Sequence, residues 1–424
     1  MVLDPTHMKY IAGELNNLDS KIGECNQEYR EERIQDILQK IKEVSYKNKI
    51  LIQLLDENIL YKVGRDQITQ IDEPFEKTYA IDSGTLNPIS YTNGTVFDIC
   101  HAAMASTPID REIERHRTLG TIIYVSDDEM TITPDLNWQS YDEEYGRSIT
   151  LLIYSSMLSR RIPDTIHNII LKFTESEHML WLQDKIEPKS MVILDGSIYP
   201  KQIMYWVVDS TSRMMIRHDR NTQKVLQNYI DIANHAFNND IPLIGFVKNP
   251  IDSQIVRSTT MEDFDIWSDD TQLFKYILSS CKDEQIQKSG ITYTGWFWQH
   301  NRIYGSNVEK ASPLVGEGIR DIIYPEEDYD PVFFIAYLPR THTLFKIESL
   351  YGFIKDEQKR EKITQKILSE IATNESVPRA LNYADQLAKI SRKENRRLRE
   401  IVTKSNQIYD YNARRWPDSE IEGY

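Results

Sequence analysis

Residues 191–200 read MVILDGSIYP, in which four apolar residues run directly into Asp195 and Gly196. A continuous apolar run ended by a turn signal is typical of a fully buried strand, so we expect the Asp195 carboxylate at the strand's exit. The segment Thr78–Gly84, TYAIDSG, repeats the pattern and offers Asp82. Two such strands can place two carboxylates side by side, which is what hard divalent cations require. The alternative is that these turns merely close hairpins.

The composition is that of a globular protein, with 40% hydrophobic and 27% charged residues among 424. No apolar run approaches the roughly 18 residues of a membrane helix, and the first ten residues lack the pattern of a secretory signal. Three widely spaced cysteines fit a reducing cytoplasm and exclude a CxxC zinc site. The net charge of −15 argues against a generally basic nucleic-acid binder, although a local basic stripe remains compatible with it.

Several segments have patterns that predict their secondary structure. Apolar spacing predicts helices from about residue 6 to 60, and again over 146–186, whereas Gly, Asn and Pro turns between residues 78 and 135 predict an antiparallel meander. A helix at Asn221–Asn239 leading into a strand at Ile241–Lys248 predicts, with residues 191–195, a parallel strand pair. Further expectations are a hairpin of Pro331–Leu338 and Thr343–Glu348, a helix over Asp356–Ile371, and a helix from Pro378 that continues to Lys404.

The helical segments carry three further acidic candidates. Glu177 falls on the apolar face of its helix and needs a partner there, which a metal ion would supply, while Glu175 is the alternative on a neighbouring face. Asp385 adjoins the buried side of the helix that follows Pro378.

Basic side chains near these segments leave their roles open. Lys248, just past an apolar strand, could approach a phosphate or a site carboxylate, or could be a surface lysine. The run from Arg392 to Lys404 is the densest basic stretch, either a face that follows phosphates or a solvated helix. The chain has no P-loop, dinucleotide-binding, HExxH or GxSxG motif, which argues against a nucleotide motor, a dinucleotide-binding enzyme, a zinc peptidase and a serine hydrolase.

Taken in order, these segments resemble the NurA nuclease family of prokaryotic DNA repair. The resemblance covers roughly residues 75–395 and divides the chain into an N-terminal helical region (1–72), a nuclease domain (73–405) and a C-terminal tail (406–424). The matching pieces are YAIDSG, a glutamate-bearing helix, MVILDGSIYP, IPLIGFVKNP, the FFIAYLP and LFKIE hairpin, and VPRALNYADQLAKIS.

This resemblance implies an α/β fold with a ribonuclease H-like core, in which a mixed central sheet is flanked by helices and an N-terminal helical arm is added. It implies that Asp82 and Asp195 are the strand aspartates, with Glu177, or Glu175 in the other register, as the helix glutamate. Asp385 stands where the family usually has histidine, and an aspartate binds a hard cation at least as well. These residues would hold Mn²⁺ or Mg²⁺, as two ions, with Lys248 adding charge stabilisation.

The activity implied by the resemblance is two-metal hydrolysis of DNA, as a 5′ to 3′ exonuclease and single-strand endonuclease in resection of double-strand break ends. The implied partners are single-stranded DNA, the ends of double-stranded DNA, a second copy of the chain in a homodimer, and the hexameric translocase HerA. Two alternatives stay open. One is a non-catalytic ribonuclease H-like scaffold that binds nucleic acid or a partner ATPase, and the other is a metal-dependent phosphatase for small molecules.

Overall fold

The structure is a computed structural model that describes residues 4–21, 27–46, 49–86, 88–91, 94–125, 141–154, 162–200, 220–258, 267–300 and 321–403. In these residues, fifteen strands form one mixed sheet. The strands are β1 (Glu43–Tyr46), β2 (Lys49–Leu54), β3 (Leu60–Gly64), β4 (Lys77–Thr85), β5 (Ile89–Ser90), β6 (Val96–Thr107), β7 (Arg117–Val125), β8 (Tyr141–Asp142), β9 (Gly146–Tyr154), β10 (Ser190–Asp195), β11 (Leu243–Val247), β12 (Gly290–Thr294), β13 (Phe297–Gln299), β14 (Pro331–Leu338) and β15 (Thr343–Leu350).

Helices of four to twenty-one residues accompany the sheet. In the described part of the chain they are α1 (Pro5–Lys21), α2 (Gln27–Ile41), α3 (Arg65–Thr69), α4 (Arg111–Glu114), α5 (Ile162–Leu182), α6 (Arg220–Asn238), α7 (Gln254–Ser258), α8 (Asp270–Leu278), α9 (Glu284–Ser289), α10 (Tyr351–Ile354), α11 (Glu357–Asn374), α12 (Arg379–Ala388) and α13 (Arg392–Thr403). None of them is long and apolar enough to cross a membrane.

Three neighbouring parallel strands, β4, β10 and β11, lie at the centre of the sheet. The apolar run Met191–Leu194 is buried on both faces, as a parallel central strand requires. After β10 the chain passes through α6 and returns in β11, parallel to β10. The predicted strand–helix–strand unit is therefore confirmed.

The flanking strands make the sheet mixed. On one side β4, β6 and β7 pair antiparallel, as the predicted meander requires, and β9 then pairs parallel with β7. On the other side the hairpin of β14 and β15 turns at Pro339–Thr341, and β15 pairs antiparallel with β11. The predicted α/β class with a mixed central sheet between helices is confirmed.

Helices cover both faces of this sheet. A methyl group at Gly120 would meet Thr174 of α5, and one at Gly84 would meet the Ala388 carbonyl of α12. Cys100 of β6 pairs with Gly120 of β7 on one side and with Thr85 of β4 on the other, and residues paired in this way face the same side of the sheet. Gly84 precedes Thr85, so Gly84 and Gly120 face opposite sides. Helices α5 and α12 therefore lie on opposite faces of the part of the sheet formed by β4, β6 and β7, in which β4 carries Asp82.

Two stretches expected to be helical are strands. Residues 43–64 form β1, β2 and β3, and residues 146–154 form β9, which pairs along its whole length with β7. Both stretches are rich in β-branched residues, and tertiary pairing overrides the weak helical spacing. The expected continuous helix after Pro378 is also wrong, since it is interrupted at Lys389–Ser391 and restarts at Arg392.

The N-terminal helices differ in their surroundings. Ile34, Ile37, Leu38 and Ile41 of α2 are buried in a cluster with the aromatic side chains Trp267 and Phe297. In contrast, α1 exposes its apolar side chains. The division at residues 72 and 73 stays a prediction, and strands from before it share the sheet with strands from after it. The predicted tail, residues 406–424, lies outside the described residues.

Candidate metal centre at the ends of the parallel strands

Two aspartates lie side by side where the pairing of β4 with β10 ends: Asp195 is the last residue of β10, and Asp82 lies within β4. Ile81 pairs with Leu194 in parallel register, so Asp82 and Asp195 occupy the next positions on the same face. Asp82 is 5% exposed, and its Oδ1 accepts a hydrogen bond of 2.7 Å from the Ser83 N–H. Burial raises the pKa of Asp82 to about 8, and the charges of Asp195 and Glu175 act in the same direction. Ionisation of Asp82 beside Asp195 and Glu175 is therefore unfavourable unless a cation is bound there.

Lys248 follows the third parallel strand and joins the same face. Asp195 pairs with Phe246, so the side chain of Lys248, two residues later, points the same way. Its Nζ lies 2.9 Å from Asp195 Oδ2. Burial acts to lower the pKa of Lys248, but the charge and hydrogen bond of Asp195, with the charges of Asp82 and Asp385, outweigh it and raise that pKa.

Glu175 of α5 is the helix carboxylate whose charge acts on Asp82. Its Oε1 accepts a hydrogen bond of 2.6 Å from the Ser83 hydroxyl, and its Oε2 lies 2.7 Å from Lys172 Nζ. The same Nζ donates to the Asp195 carbonyl at 3.0 Å. Lys172 therefore ties Glu175 to the end of β10, and Ser83 ties it to the end of β4.

Glu177 points elsewhere. Its carboxylate accepts a hydrogen bond of 2.8 Å from Asn228 Nδ2, and it pairs with Lys224 at 3.1 Å and with Arg147 at 3.5 Å. Residues two apart on a helix do not share a face, so Glu175 and Glu177 cannot both turn to the aspartates. Of the two registers left open by the sequence, the structure brings Glu175 to Ser83, the neighbour of Asp82 in β4, and it directs Glu177 to α6 and β9.

Asp385 lies on α12, at the rim of this face, and is exposed. The end of α12 is set against β4 and β6, because the Ala388 carbonyl is 3.0 Å from His101 Nδ1 and packs directly on Gly84. A methyl group at Gly84 would lie only 2.5 Å from that carbonyl oxygen, so glycine permits the close approach. The negative charge of Asp385 contributes, after those of Asp195 and Asp82, to raising the pKa of Lys248, so Asp385 lies on the side of the sheet to which Lys248 points.

The turn after Asp195 is held by groups that the sequence analysis did not identify. Gly196 has φ +95°, a conformation that favours glycine, and its N–H donates to the Phe246 carbonyl at 3.1 Å. The Ile198 N–H donates to Glu348 Oε2 at 3.1 Å. Glu348 is 1% exposed and pairs through Oε1 with Lys346 at 3.0 Å.

Sequence signals for these groups were weak but present. Lys172 stands three residues before Glu175, a spacing that puts both on one helix face. Glu348 and Lys346 alternate with apolar residues in a strand that is otherwise buried, which marks them as an internal ion pair.

The side chains at this site can be compared with those that bind metal ions in proteins. No group of three or more His, Cys, Asp or Glu side chains among the described residues is arranged as a ready-made metal site, and Asp195 and Glu175 each pair with a lysine. The chemistry nevertheless fits a hard divalent cation, because Asp82, Asp195, Glu175 and Asp385 supply only carboxylate oxygens. Such a cation would also offset the burial and the charges of Asp195 and Glu175 that together raise the pKa of Asp82.

Comparison with solved structures gives matches of low identity. A structure described as NurA with manganese has a TM-score of 0.42 and 11% identity, with 80% of this chain and 92% of that chain covered. A second NurA structure has 0.45 and 11%, with 95% and 98% covered, and one described as bound to dAMP and manganese has 0.44 and 13%, with the same coverage.

Comparison at the level of sequence gives a clearer result. No curated protein matches the chain. The family model of the NurA domain matches residues 76–390, which include both strand aspartates, Glu175, Lys248 and Asp385. This match spans about three quarters of the chain, and the protein therefore belongs to the NurA domain family.

Proposed function

We propose that this protein is a metal-dependent nuclease that hydrolyses phosphodiester bonds in DNA. The observation that carries the proposal is the side-by-side position of Asp82 and Asp195, one residue beyond the last paired residues of β4 and β10, with Glu175 hydrogen-bonded to Ser83 and its charge acting on Asp82. Paired carboxylates of this kind are the protein's share of a two-metal phosphodiester site. Membership of the NurA domain family supports the same activity.

The residues divide into ligands and supporting groups. Asp82, Asp195, Glu175 and Asp385 would hold the divalent ions, Mn²⁺ or Mg²⁺, and Glu175 takes the role first assigned to Glu177. When bound, two such ions lower the pKa of the attacking water and stabilise the leaving oxygen.

Two lysines and a hydroxyl complete the chain's own contribution. Lys248, whose Nζ lies 2.9 Å from Asp195 Oδ2, would neutralise charge on the phosphate. Lys172 and Ser83 hold the Glu175 carboxylate in place, so this carboxylate would lose little conformational freedom when it binds an ion.

The finer features of the proposal rest on the family. They are 5′ to 3′ exonuclease and single-strand endonuclease activity, a role in resection of double-strand break ends, a homodimer, and a HerA-type hexameric ATPase as partner. The substrates would be single-stranded DNA and the ends of double-stranded DNA, in the cytoplasm. Each of these features is open to its own test.

The direct test is cleavage of end-labelled single-stranded DNA in the presence of Mn²⁺. We expect the wild type to cleave, a chelator to abolish cleavage, and Asp195→Ala to be inactive. Asp184→Ala is the matched control, since that side chain is 87% exposed and follows α5 away from the site. If Asp195→Ala cleaves as fast as the wild type, the assignment of the site is wrong.

One observation favours a second function, that of a non-catalytic scaffold. Asp195 and Glu175 are each paired with a lysine, which leaves the carboxylates partly neutralised without any metal ion. A protein that is inert with Mn²⁺, even with its cognate translocase and ATP, would be such a scaffold.

A further inference from the structure

Helix α13 presents a ridge of positive charge on an acidic protein. Arg392, Lys393, Arg396 and Arg397 are exposed, and their spacing forms two i,i+4 pairs along one side of the helix. We call these four residues the basic ridge. The whole chain carries a net charge of −15, which repels DNA, so the basic ridge is a local positive region to which DNA would be attracted.

Helix stability alone does not account for the basic ridge. Arg392 and Lys393 occupy the first turn, where the helix dipole favours negative charge, and each is followed four residues later by a like charge. Both arrangements destabilise a helix. An anionic ligand bound to these side chains would offset this destabilisation and would explain why the charges are there.

The basic ridge begins at the rim of the carboxylate site. Ser391 and Glu394 form a capping box that starts α13, with the Ser391 N–H 2.9 Å from the Glu394 carboxylate and the Glu394 N–H 3.3 Å from the Ser391 hydroxyl. Only three residues separate this start from Ala388, whose carbonyl packs on Gly84, two residues beyond Asp82. The charge of Glu394 also acts on His101, beside Gly84.

The length of α13 matches a short stretch of nucleic-acid backbone. Its 12 residues extend about 18 Å at a rise of 1.5 Å per residue. Measured along the axis of the duplex, the phosphates of one strand of B-DNA recur at about 3.4 Å, so α13 spans the axial distance of about five of them. Arginine is also the side chain best suited to hold a phosphate through two parallel hydrogen bonds.

We propose that the basic ridge of α13 binds the backbone phosphates of the DNA strand whose reacting phosphate lies at Asp82 and Asp195. This inference rests on the proposed nuclease function. It predicts binding that depends strongly on salt and little on base sequence.

The test compares two variants of equal charge change in the full-length protein. Arg396→Gln with Arg397→Gln removes half of the basic ridge, while Lys189→Gln with Lys288→Gln removes two lysines whose side chains are 76% and 77% exposed. Lys189 precedes β10, at the end of the strand opposite to Asp195. Binding of a fluorescent single-stranded 20-mer is followed by anisotropy at several salt concentrations, with a chelator to prevent cleavage.

Loss of two phosphate contacts should reduce the slope of log K against log salt by about 1.4, at roughly 0.7 per phosphate on a single strand. The control variant should keep the wild-type slope, and Arg396→Glu with Arg397→Glu should weaken binding further. Melting followed by circular dichroism shows whether each variant is folded. If the variant of the basic ridge keeps the wild-type slope, or both variants lose slope equally, the proposal is overturned.

The outcomes also separate this proposal from the proposed function and from a protein-binding role. Cleavage by the wild type with Mn²⁺ tests the nuclease function and does not depend on the salt slope. Unchanged DNA binding together with loss of association with a partner protein would assign the basic ridge to a protein interface and overturn the proposal.

Discussion

Gly245→Ala should displace the turn that follows Asp195, through backbone contacts alone. Gly245 lies in β11, between Leu194 of β10 and Glu348 of β15. A methyl group there would lie 2.6 Å from the Ile198 nitrogen and 2.8 Å from the Gly196 oxygen. Both are backbone atoms, so the clash cannot be relieved by rotating a side chain.

The size of the displacement follows from these distances. Ordinary van der Waals contact begins at 3.4 Å, so the turn would have to retreat by about 0.8 Å from the new methyl group. Catalytic groups need to be held within about 0.5 Å, and a misplacement of about 1 Å can cost about 100-fold in rate. We therefore expect kcat to fall between about tenfold and about 100-fold. Overpacking should also cost roughly 1–3 kcal/mol of unfolding free energy.

The assay measures kcat for Mn²⁺-dependent cleavage of labelled single-stranded DNA, with thermal melting to verify the fold. Gly146→Ala is the matched control, because a methyl group there meets no atom within 4 Å. If Gly245→Ala is folded and keeps the wild-type kcat while its turn is displaced, the position of Asp195 does not control the reaction. That result would refute the reasoning.

Three further substitutions test the neighbours of the site, each with its own expected outcome. Glu175→Gln should abolish cleavage, whereas Glu177→Gln should melt at a lower temperature and keep much of its activity; the reverse order of activities would restore the other register. Glu348→Ala should lower the unfolding free energy by roughly 3–5 kcal/mol, because buried Lys346 and the Ile198 N–H each lose a partner. Urea denaturation measures this free energy, and an unchanged value would contradict the prediction. Lys248→Ala should lower kcat by about 10- to 100-fold without weakening Mn²⁺ binding, since it removes a cation that competes for Asp195; titration with Mn²⁺ separates the two effects, and weaker binding would be the contrary result.

The sequence alone allowed the centre of the fold to be predicted because the signals there are local. The apolar run before Asp195, the amphipathic α6 and the apolar strand before Lys248 follow one another within about 60 residues and specify the parallel pair. The edges of the sheet were harder. Residues 49–64 and 146–154 gain much of their strand structure from pairing with distant partners, for example β3 with Gly290–Thr294, and spacing along the chain does not reveal such partners.

The candidate site was predictable in residue type more than in register. Glu177 was expected in a buried position and is 4% exposed, but Glu175 is 6% exposed, because α5 is covered all round at that level. Apolar periodicity therefore could not separate the two glutamates. Only the contacts of Glu175 with Ser83 and Lys172, and of Glu177 with Asn228, distinguish them.

The most direct test of the central claim is calorimetric titration of the protein with Mn²⁺, comparing the wild type with Asp195→Asn. This substitution keeps the size of the side chain and removes one carboxylate oxygen charge from the pair with Asp82. We expect the wild type to bind Mn²⁺ and the variant to bind it at least about tenfold more weakly, with DNA cleavage lost in parallel. Equal Mn²⁺ affinity in the two proteins would contradict the assignment of the metal centre to the ends of β4 and β10.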